Sequence, residues 1–195
     1  MGGSEMAAKM DVLEALRARR SIGKLTGDVS DEELRTLVDA ALCAPNHKLT
    51  APWRFTVVRG EARVRLGMLL ARLAEAHAPP DGPEREAFLL KEARKPIRAP
   101  VLLVISTRTV ADAVVAAEDF AATAAATQNV LLAAHALGLG AIWRTGEMAY
   151  RPEVAAFLGL AQSDRIVSVV YLGRPAMDPP KARPRDVDAV LRVLT

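Results

Sequence analysis

One stretch constrains the fold of this chain more than any other. Residues 112 to 137 predict its longest helix, and much of it, "FAATAAATQNVLLAAHALG", is apolar or small nearly all round. A helix without a polar face is a buried helix, and its small side chains let another backbone come close. Gly138 supplies a suitable C′ residue to end it. The composition fits such a centre: 195 residues are enough for a core, and 51% hydrophobic with 25% charged residues predicts a globular chain rather than a disordered one. Much of the apolar content is alanine, which contributes little area per residue. Helix-on-helix packing is therefore favoured, and a partner chain would help complete the core.

Other elements follow from local signals. Residues 7 to 20 read as a helix with Met10, Leu13 and Leu16 on one face, ending in Arg19-Arg20-Ser21. "SDEELRTLVDAALCAP" is the clearest helix: Ser30 and Glu33 form a capping box, and Leu34, Leu37, Val38, Ala41 and Leu42 follow helical spacing until Pro45. "WRFTVVRG" alternates as a strand, with Trp53, Phe55 and Val57 one way and Arg54 and Thr56 the other. Helices follow at 61 to 77 and 84 to 95, and Pro96 and Pro100 bracket a turn. "VLLVIS" at 101 to 106 reads as a buried central strand. After the long helix come a short strand "AIWRT", a short helix "RPEVAAFLGL", a strong strand "RIVSVVYLG", and a Pro- and Arg-rich tail that regains helical or extended apolar spacing. The order does not alternate regularly, so a doubly wound fold is disfavoured. The expected class is α+β, a small mixed sheet with helices on both faces. Residues 1 to 5 of "MGGSEMAAKM" are set aside as a tag remnant, leaving 6 to 195 as one domain.

Several functions are excluded or disfavoured. The net charge is only +3, and the arginines are spread along the chain without interleaved aromatics, which argues against nucleic acid. A bound phosphate is a more economical use of a few arginines. One cysteine and three scattered histidines give no metal-ligand spacing. No apolar run reaches membrane length, so the expected location is the cytoplasm. "GLGAIWRTG" places its glycines after a helix and before a strand, the reverse of a dinucleotide fingerprint. Cys43 reads as a small buried hydrophobe beside Leu42, because a helix C-terminus does not depress a thiol pKa. His47 lies in a turn, and His77 and His135 read as structural. Arg19-Arg20 also suits the helix dipole. Lys181, Arg183 and Arg185 also fit a solvated basic stretch, and Trp143 a core strand residue.

Together "RRSIGKL", "AALCAPNHKLTAPWRFTVV", "GLGAIWRTG", "YLGRP" and "KAR" resemble, in order and spacing, the nitroreductase family of FMN-dependent oxidoreductases, especially its short minimal members. The resemblance covers most of residues 9 to 190. It implies a homodimer with two FMN sites at the subunit interface, and hydride transfer from NADH or NADPH to a small planar acceptor such as a nitroaromatic or quinone, in ping-pong order. It implies that Arg19 and Ser21, with Lys181 and Arg183, hold the FMN phosphate. Arg20 lies near the ring edge, Pro45, Asn46 and His47 near the isoalloxazine, and Trp143, Arg144, Thr145 and Gly146 along its other side, with a Thr145 or Gly146 N–H at N5. No side chain is expected to be an indispensable acid or nucleophile. The alternative is a flavin-binding or flavin-buffering protein with little reductase activity.

Overall fold

The computed structural model describes residues 10–195. The segment set aside as a tag remnant, and the start of the helix expected from residue 7, lie outside the described residues. In chain order the elements are α1 (Val12–Ala18), β1 (Leu25–Thr26), α2 (Asp31–Leu42), β2 (Trp53–Arg59), α3 (Glu61–Ala74), α4 (Pro83–Ala93), β3 (Val101–Arg108), α5 (Ala113–Ala136), β4 (Gly140–Arg144), α6 (Pro152–Phe157) and β5 (Asp164–Pro175). The expected α+β class is observed. The helix starts have local causes: Asp11 and Asp112 accept from the first free N–H groups of α1 and α5, and the Ser30–Glu33 capping box forms in full.

The sheet is antiparallel in every pairing among the described residues, not mixed as expected. Strand β5 is central. It pairs with β3 and β4, β3 pairs onward with β2, and β1 adds a short edge against Arg174 and Pro175. Helix α5 runs back along the sheet after β3, so β4 starts at the same end as β3 and both oppose β5.

Alternation along the strands divides the core in two. Val101, Leu103, Ile105, Ala141, Val170 and Leu172 face α2 and α5. Leu102, Val104, Ile142, Val169 and Tyr171 face α3 and α6. Helix α5 is not buried all round. One stripe, including Ala122, Ala126, Val130 and Ala134, is buried, whereas Ala117 and Ala121 are exposed. Alanine on both faces carries no polarity contrast, so the sequence alone did not distinguish them.

Burial adds four details to the sequence pattern. Met10, Leu13 and Leu16 are exposed and Ala15 is the buried residue of α1. Leu42, the last residue of α2, is 51% exposed because the helix runs past the layer it packs on. Val57 is exposed and Val58 buried, because β2 is an edge strand covered by α3 on Val58's face. The tail from 176 onward forms no helix or strand, and Val187, Val190, Leu191, Val193 and Leu194 are exposed.

Candidate functional site

Helix α1 stops at Ala18, and the Arg20 guanidinium turns back to donate from Nη1 to the carbonyls of Arg17 (2.7 Å) and Arg19 (2.8 Å). This satisfies carbonyls at the helix end. Arg19 is half-buried; burial first, and the adjacent Arg20 charge second, push its pKa below the usual arginine value. Just beyond, the Ile22 N–H donates to Ala141 O at 3.0 Å, which ties Arg19–Ser21 to the start of β4. Gly140 makes this approach possible: a Cβ there would lie 2.5 Å from Leu25 Cδ2 and 3.3 Å from Ile22 Cγ2.

The tail returns to the same place. Ala176 N–H donates to Lys24 O (3.0 Å), and Arg185 Nη2 donates to Arg17 O (3.4 Å). Residues 177–184, with Lys181 and Arg183, therefore run between two pins that bracket Arg19–Ser21. Among the described residues, none of Arg19, Arg20, Lys181 and Arg183 has a carboxylate within ion-pair distance. Arg19 and Arg20, without an ion-pair partner among the described residues and next to a serine hydroxyl, are donors of the kind that suits a phosphate monoester.

The turn after α2 is built differently. Lys48, Leu49 and Ala51 have φ of 51°, 53° and 44°, the left-handed region that side chains disfavour. Asn46 Oδ1 accepts from Ala51 N–H (3.0 Å), Thr50 Oγ1 donates to buried Asp119 Oδ1 (2.6 Å), and His47 Nε2 lies 3.8 Å from Glu118. Those bonds hold the strained turn against the N-terminal half of α5, with Pro45 and His47 exposed. Cys43 is exposed rather than buried, correcting the sequence expectation; its Sγ lies 3.6 Å from Asp39 O, as the helix ends before any layer covers it. Asp119 gave no sequence signal, since an acid beside Glu118 in an alanine-rich helix reads as a solvated residue.

At the end of β4 the alternation continues. Ala141 faces the α5 side and Ile142 the α3 side, which puts Trp143 on the α5 face and Arg144 on the other. Trp143 is 36% exposed, so it is not a core residue. The Arg144 guanidinium stands 5.6 Å from the centroid of the Tyr171 ring. Beyond the β4–β5 ladder, neither the Thr145 nor the Gly146 N–H has a backbone acceptor among the described residues. A cavity of about 460 Å³ adjoins Arg144, Thr145 and Gly146 on the α3–α4 side.

The fold thus ties Arg19–Ser21 to the start of β4 and pins the tail on either side of the Lys181–Arg183 segment, at Lys24 and Arg17. It does not bring Pro45–His47 to them within one chain. That turn is anchored at Glu118 and Asp119, while Ile22 is anchored just past the helix's other end, roughly 27 Å away at 1.5 Å per residue. Laterally, β2 and β4 are three strand spacings apart, about 14 Å. The Arg19–Ser21 donors and the Thr145 and Gly146 N–H groups, which have no backbone acceptor beyond the β4–β5 ladder among the described residues, fit the polar groups of an FMN.

The sequence model described as "Nitroreductase family" matches residues 16–174. The Escherichia coli protein named "Putative NAD(P)H nitroreductase YdjA" is 32% identical over 170 residues, 86% of this chain and 90% of that protein. The crystal structure of a nitroreductase-like family protein from Bacillus cereus superposes with TM-score 0.81 at 26% identity, covering 97% of this chain and 98% of that one. A Desulfovibrio desulfuricans structure described as "a putative nitroreductase in complex with fmn" superposes with TM-score 0.68 at 28% identity, covering 96% and 99%. Among the described residues, no helix is long and apolar enough to cross a membrane, and no group of histidine, cysteine and acidic residues could hold a metal ion.

Proposed function

The chain belongs to the nitroreductase family, and from that premise we propose that it is an FMN-dependent oxidoreductase passing hydride from NADH or NADPH to a small planar acceptor, a nitroaromatic or a quinone. When bound, FMN supplies the redox chemistry. The chain's own groups bind and orient. Arg19, Lys181 and Arg183 hold the phosphate by charge-assisted hydrogen bonds, and the Ser21 hydroxyl adds one more. Thr145 and Gly146 direct N–H groups at the polar edge of the ring, and Trp143 and Arg144 flank it. Arg20 reaches the ring edge only by giving up the two carbonyls it now holds. Pro45, Asn46 and His47 of a second copy close the far side, so the active form is a homodimer. The resulting slot admits one planar molecule at a time, so reductant leaves before acceptor enters, which is ping-pong order. No side chain serves as an indispensable acid or nucleophile.

The observation that supports this reading is the tail pinned at Lys24 and Arg17, on either side of Arg19–Ser21, with no carboxylate within ion-pair distance of Arg19, Lys181 or Arg183 among the described residues. The test is the absorbance spectrum of purified protein, an FMN titration, and stopped-flow reduction by NADH and NADPH. Saturable FMN binding with rapid reduction is expected. A protein that binds no FMN overturns the reading, and one that binds FMN yet oxidises neither nucleotide is a flavin buffer instead.

A further inference from the structure

The cavity beside Arg144–Gly146 has a definite chemistry. Leu70 and Leu73 of α3 and Phe88 of α4 supply apolar surface. Most of its charges are already paired: Lys95 with Glu92, and Arg151 with Glu147 and Glu153. Arg98 and Arg144 line the same cavity and have no carboxylate within ion-pair distance among the described residues. Between them lies Tyr171, only 4% exposed, whose hydroxyl can donate. Burial raises the Tyr171 pKa, against the opposing pull of the Arg144 and Arg98 charges. Both guanidinium groups therefore act on the same polar spot. At about 460 Å³ the cavity has the size of a small-molecule site.

We propose that this cavity receives an aromatic carboxylate, with the ring against Leu70, Leu73 and Phe88 and the carboxylate on Arg98, Arg144 and Tyr171, and that the electron acceptor belongs to this class. The second half of the proposal rests on the flavin reading of Arg144–Gly146; the binding half does not. With a nitroaromatic carboxylate each turnover balances as one nitro group, one NAD(P)H and one proton giving one nitroso group, NAD(P)+ and water. Two electrons move, one N–O bond breaks, and the hydride and the proton end in the water.

The experiment compares 4-nitrobenzoate with 4-nitrobenzamide, which has the same shape without the charge. Calorimetric titration of FMN-saturated protein without NAD(P)H should show the carboxylate binding at least tenfold more tightly. Arg98→Gln should bring the two within about twofold while leaving amide affinity, FMN occupancy and NADH-dependent reduction of 1,4-benzoquinone unchanged. In turnover, the kcat/KM preference for the carboxylate should fall in the same variant. Equal binding of the two probes, no binding of either, or a preference that survives Arg98→Gln overturns the proposal. So does loss of 4-nitrobenzoate binding when flavin-free protein is saturated with FMN, because the cavity would then be the flavin's own seat. Failure of the flavin reading shows separately, as absent FMN binding or absent quinone reduction, while the calorimetric preference can still be read on flavin-free protein.

Discussion

Arg19 is held in a place that disfavours its own charge, since burial and Arg20 both act against it. An anion there would relieve both costs. Arg19→Ala should accordingly weaken FMN binding by about 1.5–3 kcal/mol, the range for a hydrogen bond to a charged group, as measured by fluorescence titration; an unchanged Kd removes Arg19 from the site. Cys43 is exposed, and its Sγ donates to the Asp39 carbonyl oxygen. Cys43→Ser should keep flavin content and quinone reduction within about tenfold, some 1.4 kcal/mol in barrier. Glu33 carries a pH effect. Its carboxyl is held below the usual carboxylate range, first by the hydrogen bonds from Arg174 (2.8 and 3.0 Å) and further by those from Ser30, against burial that raises it. A pKa lowered by folding stabilises the protein above the unfolded value near 4.5, and that stabilisation is lost as pH falls through the folded value. Arg174→Gln should cost about 1 kcal/mol at neutral pH, discounted for a half-exposed arginine. Urea melts should show the gap closing in acid; a gap independent of pH would assign the effect to packing.

Among the elements, the α3–α4 pair has its spacing set by a single residue. Gly67 of α3 faces α4 so closely that a Cβ would collide with the carbonyl oxygen of Ala93. The collision is with backbone, which cannot rotate away. Gly67→Ala should therefore destabilise by about 1–3 kcal/mol, lowering the thermal midpoint by roughly 2–4 °C per kcal/mol. Because α3 and α4 wall the cavity, 4-nitrobenzoate affinity should fall with it, whereas Arg19–Ser21, on separate elements, should keep its FMN affinity. A variant as stable as the parent would mean that α4 shifts freely.

At the scale of the molecule, a single chain leaves a considerable apolar surface in water. Val12, Leu13 and Leu16 of α1 and Val187, Val190, Leu191, Val193 and Leu194 of the tail are all exposed. Burying one such side chain completely is worth about 1.5–3 kcal/mol, so several together would support a stable interface. The separation of Pro45–His47 from Arg19–Ser21 points the same way under the proposed flavin reading, in which the two segments wall one slot. Sedimentation should give a dimer at micromolar concentration, and conditions that dissociate it should release FMN. A monomer retaining one tightly bound FMN would refute the shared site.

What the sequence determined by itself was local. The Ser30–Glu33 capping box, the stop at Pro45, the uninterrupted apolar run of β3 and the C′ glycine at 138 each act over a few residues, so they set where elements begin and end. The motif segments were legible for the same reason, as short strings in order. Which side of each element is covered depends on what packs there from far along the chain. That is why Val58 rather than Val57 is buried, why Leu13, Leu16 and Cys43 are exposed, and why only one face of α5 is covered. The same long-range packing pinned the tail back at Arg17 and Lys24, held Pro45–His47 apart from Arg19–Ser21, and set Arg98, Arg144 and Tyr171 around one cavity. Residues separated by tens of positions meet only when the sheet and its two layers close, and no short-range signal encodes that meeting.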